Sequence, residues 1–218
     1  MSPPFITRVS AWAPGIESPG DWDEWARGKR DIASGGKGPA IEFTDSMFRR
    51  RLSQISKMTV QVVHGLLPVG EDTKMFFISF RGELSRQYQI NKMLIEEKSL
   101  MPAAFSLSVF NAPAALASIA FGLKGGYSAL YPGNNSFAAG LAAASASFVS
   151  GAQEELLFVY ADEEAPAEYR SFTECLAFGL LLTREPQGLA IPLPSLHEGK
   201  DSPSDFLRLL YGKIHAAS

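Results

Sequence analysis

The chain has 218 residues, 46% hydrophobic and 20% charged, so it can bury a full core and is not a disordered segment. A formal net charge of −3 argues against a general nucleic-acid binder. One cysteine excludes a disulfide scaffold and a multi-cysteine metal site, and three histidines far apart along the chain show no metal-ligand spacing.

The first half of the chain alternates predicted strands and helices. Apolar and β-branched residues, ended by a Pro-Gly pair, predict a strand at 5–14. The clearest amphipathic helix lies at 49–66, where leucine, isoleucine, methionine and valine recur at helical spacing. The other predicted elements of this half are a short helix at 22–27, a strand at 74–80 and a helix at 83–98.

Two long runs without formal charge, 99–123 and 125–153, raise the question of membrane spans. Both runs contain proline, asparagine and serine, and alanine is more frequent in them than leucine, so insertion into a bilayer would gain little. We therefore interpret them as buried helices of an α/β core. The N-terminal residues show no signal-peptide pattern, and a cytoplasmic protein without a membrane span is expected.

The second half continues the alternation of strands and helices. Small apolar residues predict a helix at 102–122, in which Pro113 marks a kink or the true start, and another at 136–150. The remaining predicted elements are strands at 127–131, 155–162 and 175–183 and a final helix at 205–215. Strands separated by helices indicate one α/β domain over 1–218, with a mostly parallel mixed sheet flanked by helices.

A sharp turn at 132–135 joins the strand 127–131 to the helix 136–150. Such a turn lies at a helix N-terminus, where unpaired N–H groups and the helix dipole favour an anion or a thiolate. Enzymes that use this geometry place serine or cysteine in the turn, whereas this turn has the sequence Pro-Gly-Asn-Asn. Ser136 is predicted to cap the helix. The geometry for nucleophilic catalysis is therefore expected without its nucleophile.

Several segments, in this order and spacing, resemble the N-terminal half of β-ketoacyl synthases. They are VSAWAPG with Trp22 and Trp25, RRRLSQISKM, FRGEL, FSLSVFNAPAALASIAFGLKG, the strand–turn–helix and ELLFVYADE. The resemblance extends from about Phe5 to Thr183. The chain resembles even more closely the short β-ketoacyl-synthase-like proteins of aryl-polyene-type gene clusters, which are regarded as chain-length-factor-like partners of a true ketosynthase.

The resemblance implies a thiolase-like fold and a missing catalytic apparatus. It places the ketosynthase cysteine at Asn134, or at Gly133 if the alignment shifts by one residue. Two histidines come from the C-terminal half of ketosynthases, and no such half is recognised here. Phe110 stands where the family often has the histidine of SVHNA. We therefore expect no catalytic residues, that is, a pseudo-enzyme.

The same resemblance implies a partner and an acyl tunnel. The expected partner is a ketosynthase subunit in a heterodimer, or a second copy in a homodimer, in fatty-acid, polyketide or polyene-type biosynthesis. Phe105, Phe110 and Asn111 are the expected tunnel and dimer-interface residues, because the helix 102–122 faces the dimer in the resembled fold. The helices of small residues also require a packing partner, since they carry no polar face.

The basic triplet Arg49, Arg50 and Arg51 is unusual in an acidic chain. By resemblance, ketosynthases bind acyl carrier proteins through basic residues near this helix, and clustered arginines suit an acidic partner with a phosphopantetheine phosphate. The alternative is an ordinary solvated helix start. We expect no cofactor and no metal of the chain's own; the carrier's phosphopantetheine would hold the partner's substrate.

Two other functions remain open from the sequence. The chain could be an atypical β-ketoacyl-acyl-carrier-protein synthase or acyltransferase that uses Ser136 or Cys175, or a self-associating acyl-binding protein. Cys175 is better explained as a small core residue, because it has no basic neighbour in sequence to lower its pKa. The acidic cluster Asp162, Glu163 and Glu164 follows a strand and could serve in acid–base or metal chemistry, although such clusters are mostly solvated loops.

Overall fold

The computed structural model describes residues 3–99, 102–133, 136–149, 153–169, 174–193 and 201–217. In these residues the strands are β1 (Phe5–Trp12), β2 (Lys74–Ile78), β3 (Tyr127–Leu130), β4 (Glu155–Asp162), β5 (Leu176–Thr183) and β6 (Ile191–Pro192). All of them belong to one sheet with the strand order β3-β2-β4-β5-β1-β6. The predicted α/β class and mixed sheet are confirmed.

The parallel part of the sheet is smaller than predicted. β2 pairs in parallel with β3 and β4, whereas β4 with β5, β5 with β1, and β1 with β6 are antiparallel. Parallel neighbours require a crossover connection, usually a helix. Such helices join β2 to β3 and β3 to β4, but the described part of the β4–β5 connection holds only a short 3-10 helix at Ala167–Tyr169.

Helices cover both faces of the sheet. They are α1 (Pro19–Ala26), α2 (Ser46–Arg51), α3 (Gln54–His64), α4 (Leu84–Glu96), α5 (Pro102–Phe105), α6 (Ala112–Phe121), α7 (Phe137–Val149) and α8 (Pro203–Ala217). Along β4, Leu157 and Val159 pack in one core with α3 and α6, and Leu156 and Phe158 pack in the other with α1, α7 and α8. A strand buried on both faces is expected to be continuously apolar, as β4 is between its terminal residues Glu155 and Asp162.

Two predicted helices are each divided in the structure. The helix predicted at 49–66 is broken at Leu52, whose backbone is extended, and Ser53 then caps α3 by accepting the N–H of Ser56 at 3.2 Å. The helix predicted at 102–122 is divided into α5 and α6. Pro113 is the second residue of α6, so it marks the true start of that helix, where its missing N–H needs no partner.

In the part of the chain that the structure describes, no helix combines the length and the apolar character that crossing a bilayer requires.

Candidate functional site

The turn between β3 and α7 lies at the edge of the sheet, because β3 is an outer strand. Pro132 is buried and Gly133 is exposed, with open space where a side chain would begin. Asn134, the first expected equivalent of the ketosynthase cysteine, lies outside the described residues. The described part of the turn thus contains neither a thiol nor a hydroxyl.

Ser136 and Asp201 satisfy the N-terminus of α7. The Ser136 hydroxyl accepts the N–H of Ala139 at 3.2 Å, so the predicted cap is confirmed. It also donates to Oδ2 of Asp201 at 2.8 Å, and Oδ1 of Asp201 accepts the N–H of Ala138. A helix N-terminus attracts negative charge, and here the chain supplies its own carboxylate.

Asp201 was not predicted as a site residue. It comes from the segment just before α8 and is 65 positions from Ser136. The sequence holds only a local signal, an Asp-Ser-Pro-Ser start of a helix, which predicts a cap for α8 and not for α7. The contact depends on how α8 packs beside α7 in the shared core.

The 105–111 segment connects α5 to α6 and carries the three expected tunnel residues. Phe105 is 57% exposed. The ring of Phe110 lies over Gly82 and is edge-on to Phe77, with a centroid distance of 6.3 Å. Asn111 donates through Nδ2 to the Tyr127 hydroxyl at 2.9 Å, which ties the start of α6 to β3. Only Phe105 therefore presents a large free surface.

The basic segment, residues 49–51, ends α2 and does not begin a helix. The alternative of an ordinary solvated helix start places the arginines wrongly, because Ser53 starts a new helix and leaves them in the last turn of α2. Arg49 donates to the carbonyls of Glu42, at 3.1 Å, and Thr44, at 2.5 Å. Arg50 and Arg51 are exposed, and they line a shallow groove of about 400 Å³. The other lining residues are Asp45, Met47 and Phe48.

The acidic cluster at the C-terminal end of β4 is mostly buried, so the expectation of a solvated loop is wrong for Asp162 and Glu163. Asp162 is fully buried and accepts the Ser79 hydroxyl at 2.6 Å and the Phe80 N–H at 2.8 Å. Burial raises its pKa, while these hydrogen bonds oppose the rise. Glu164 is exposed and accepts the N–H of Gly35.

Glu163 and Glu83 both bind the first turn of α3. Glu163 accepts the N–H of Ile55 at 3.2 Å, and burial raises its pKa to about 7. Glu83, which the sequence did not single out, accepts the hydroxyls of Ser53 and Ser56, each at 2.7 Å. Burial raises the pKa of Glu83, against these two hydrogen bonds and the nearby Arg86. The two carboxyl groups hold the helix start in place.

Cys175 is confirmed as a core residue. Its side chain is buried, it contacts the Sδ of Met58 at 3.8 Å, and burial raises the pKa of its thiol to about 12. A thiol of that pKa is almost entirely protonated at neutral pH and is a poor nucleophile. Among the described residues, no cluster of histidine, cysteine, aspartate and glutamate side chains could hold a metal ion.

Comparison with known proteins connects these features. Residues 22–202 match the family model of the β-ketoacyl synthase N-terminal domain. A chain of the complex of ketosynthase ApeO with its chain length factor ApeC, from Xenorhabdus doucetiae, is 26% identical to this chain with a TM-score of 0.79. That match covers 98% of this chain and 92% of that chain. No curated protein sequence matches.

Two more distant structures share the fold. One chain of the ishigamide ketosynthase/chain length factor structure is 16% identical to this chain, with a TM-score of 0.69. The match covers 88% of this chain and 65% of that chain. One chain of the complex AntDE:AntF, a type II acyl-carrier protein with its ketosynthase, is 13% identical to this chain, with a TM-score of 0.63. The match covers 84% of this chain and 64% of that chain. The predicted thiolase-like ketosynthase fold is confirmed.

Proposed function

Because this chain belongs to the β-ketoacyl synthase N-terminal domain family, we propose that it is a non-catalytic subunit of the chain-length-factor type. It pairs with a β-ketoacyl-acyl-carrier-protein synthase of fatty-acid or aryl-polyene-type biosynthesis and shapes the acyl tunnel of that enzyme. The chain needs no cofactor of its own for this role, since the growing acyl chain is held on the phosphopantetheine of an acyl carrier protein.

The observation that carries the proposal is the carboxylate of Asp201 at the N-terminus of α7. Acyl transfer passes through intermediates with a negative oxygen, which need hydrogen-bond donors that are free to receive them. In this chain the N–H of Ala138 donates to Asp201, and the N–H of Ala139 donates to Ser136. A second negative charge at this place would be repelled, so the site suits a subunit without chemistry of its own.

The 105–111 segment supports a role at an interface. Phe105 is an aromatic side chain with more than half of its surface exposed, beside a segment whose other aromatic ring is packed over Gly82. β3, to which Asn111 is hydrogen bonded, is an edge strand among the described residues, and an unpaired edge favours association with another chain. Similarity to a chain of the ApeO–ApeC complex over nearly its whole length fits such an assembly.

The groove beside Arg50 and Arg51 supports contact with an acyl carrier protein. Two exposed guanidinium groups provide a positive surface, and the exposed Met47 adds an adaptable apolar contact at the same groove. Acidic carrier surfaces and a phosphate group match this combination. AntDE:AntF is a ketosynthase in complex with a carrier protein, and the fold is shared.

The test is co-expression with the ketosynthase encoded nearest to this chain, followed by size-exclusion chromatography with light scattering. We expect a one-to-one complex, condensation activity only when the ketosynthase is present, and a change in product length when this chain joins it. Phe105→Glu should weaken the complex. Leu209→Glu, at an exposed leucine of α8, is the matched control and should leave it intact.

A stable homodimer that does not bind the ketosynthase would contradict the proposal and favour a self-associating acyl-binding protein. Condensation by the chain alone would favour an atypical synthase instead.

A further inference from the structure

Arg86, in the first turn of α4, joins three parts of the molecule. Its Nη2 donates to the carbonyl of Arg51 at 2.8 Å, and its Nη1 donates to the carbonyl of Leu107 at 3.3 Å. Its Nε lies 3.6 Å from Oε2 of Glu83. The Arg86 side chain is only 17% exposed, and the side chain of Glu83 beside it is fully buried. One guanidinium group therefore touches the basic segment and the 105–111 segment at once.

Neighbouring hydrogen bonds hold Arg86 and the 105–111 segment in place. Glu83 is held by the hydroxyls of Ser53 and Ser56 directly after the basic segment. Gln87, the next residue of α4, donates through Nε2 to the carbonyl of Ser108 at 2.8 Å. Arg86 is thus fixed from one side by Glu83, and the 105–111 segment is fixed by two adjacent side chains of α4.

We propose that Arg86 is a positioning residue that couples the basic segment to the 105–111 segment. The inference rests on the proposed function, in which the first segment contacts the carrier protein and the second contributes to the acyl tunnel. The planar guanidinium holds both carbonyls in one geometry, so a displacement of the basic segment on carrier binding reaches the 105–111 segment directly. Carrier binding and product length then depend on the same side chain.

The test compares Arg86→Lys with Arg184→Lys in the assembled complex. Lysine keeps the positive charge of Arg86 but cannot hold two carbonyls in a fixed fork. Arg184 is a matched control, because it also binds two carbonyls, those of Phe148 and Gln153, and a carboxylate, that of Glu154. None of these groups belongs to either segment.

The measurements are carrier-protein affinity, product-length distribution and unfolding midpoint. Arg86→Lys should weaken carrier binding by about tenfold, the low end of what is expected for the loss of a hydrogen bond from a charged donor, and broaden the product lengths. Both variants should lower the unfolding midpoint to a similar extent. Arg184→Lys should leave carrier-protein affinity and product-length distribution unchanged. Gln87→Ala, which removes a contact to the 105–111 segment alone, should change product length without changing carrier affinity.

The inference is overturned if Arg86→Lys changes only carrier-protein affinity or only product length. It is also overturned if the effects of Arg86→Lys on both are no larger than those of Arg184→Lys. Failure of the proposed function gives a different result. In that case the wild-type chain does not assemble with the ketosynthase or does not alter its products, and the inference is removed with its premise.

Discussion

Glu163 accepts the backbone N–H of Ile55 with one carboxylate oxygen, and its other oxygen, Oε1, is buried without a hydrogen-bond partner among the described residues. Burial of this carboxyl group raises its pKa and favours the protonated acid, while hydrogen bonds from Ser85 and from the Ile55 N–H oppose the rise. Glu83 lies at the same helix start and adds a second negative charge nearby, which also raises the pKa. The start of α3 is therefore sensitive to proton concentration near neutrality.

Glu163→Gln should change the pH dependence of stability. The pKa of Glu163 is raised from 4.5 to about 7 in the folded chain, so the folded state keeps a proton that the unfolded state loses between these values. Stability should then fall as pH rises from 4.5 to 7, and level off above. Glutamine stays neutral, and it should stabilise the chain above pH 7 by about 1–3 kcal/mol.

Urea unfolding at several pH values measures this effect, with Glu164→Gln, at the exposed neighbour, as the control. The difference in free energy of unfolding between Glu163→Gln and the wild type should change between pH 4.5 and pH 8. An equal difference at both pH values would show that Glu163 does not titrate in this range.

Asp201→Ala should destabilise α7. The change removes the acceptor of the Ser136 hydroxyl and of the Ala138 N–H, and loss of a helix cap costs about 1–2 kcal/mol. Asp201→Asn keeps an acceptor oxygen and should cost less. Chemical denaturation measures both, with Asp31→Ala at an exposed loop position as the control. Equal stability of Asp201→Ala and the wild type would mean that Asp201 does not cap α7 in solution.

Local patterns predicted β1 to β5, but not the two-residue strand β6. β4 was predicted at 155–162 and is observed at those residues, because eight successive mostly apolar residues fit a strand buried on both faces. The helix at 49–66 was predicted without its break, because Leu52, Ile55 and Met58 all face the core and the spacing continues through it. Only the extended backbone of Leu52 shows where one helix ends.

The candidate site was predictable only where it is local. Ser136 was predicted as a cap because serine before a run of small residues is a helix-start signal. Glu83 begins the predicted helix 83–98 and is indistinguishable from a solvent-facing residue at a helix start until Ser53, 30 positions earlier, is brought against it at the start of α3. Long-range contacts of this kind depend on the packing of the sheet and its helices, and no short motif encodes them.

Cys175 should react slowly in the folded chain. Burial and a pKa of about 12 leave little thiolate at pH 8, so alkylation by iodoacetamide should be at least about 100-fold slower than in the urea-unfolded chain. Mass spectrometry of time-quenched samples measures the two rates. Rapid labelling of the folded chain would instead support the atypical-enzyme alternative, in which Cys175 acts as a nucleophile.

Gly82→Ala should destabilise the chain through two separate effects that can be resolved. The backbone of Gly82 has φ +57°, a left-handed conformation that is unfavourable for alanine by about 1 kcal/mol. A Cβ there would also lie 2.6 Å from Cδ2 of Phe110, so the ring would have to move away from its edge-on contact with Phe77.

A double-mutant cycle separates the two effects. Phe110→Ala alone loses the apolar contact of the ring, and Gly82→Ala on the Phe110→Ala background should retain only the backbone strain, because the clashing ring is gone. The double variant should therefore be more stable than the sum of the single losses predicts, by about 1 kcal/mol or more. Additive losses would show that Phe110 does not pack over Gly82. Phe105→Ala, at the exposed aromatic residue of the same segment, should change stability by less than about 0.5 kcal/mol.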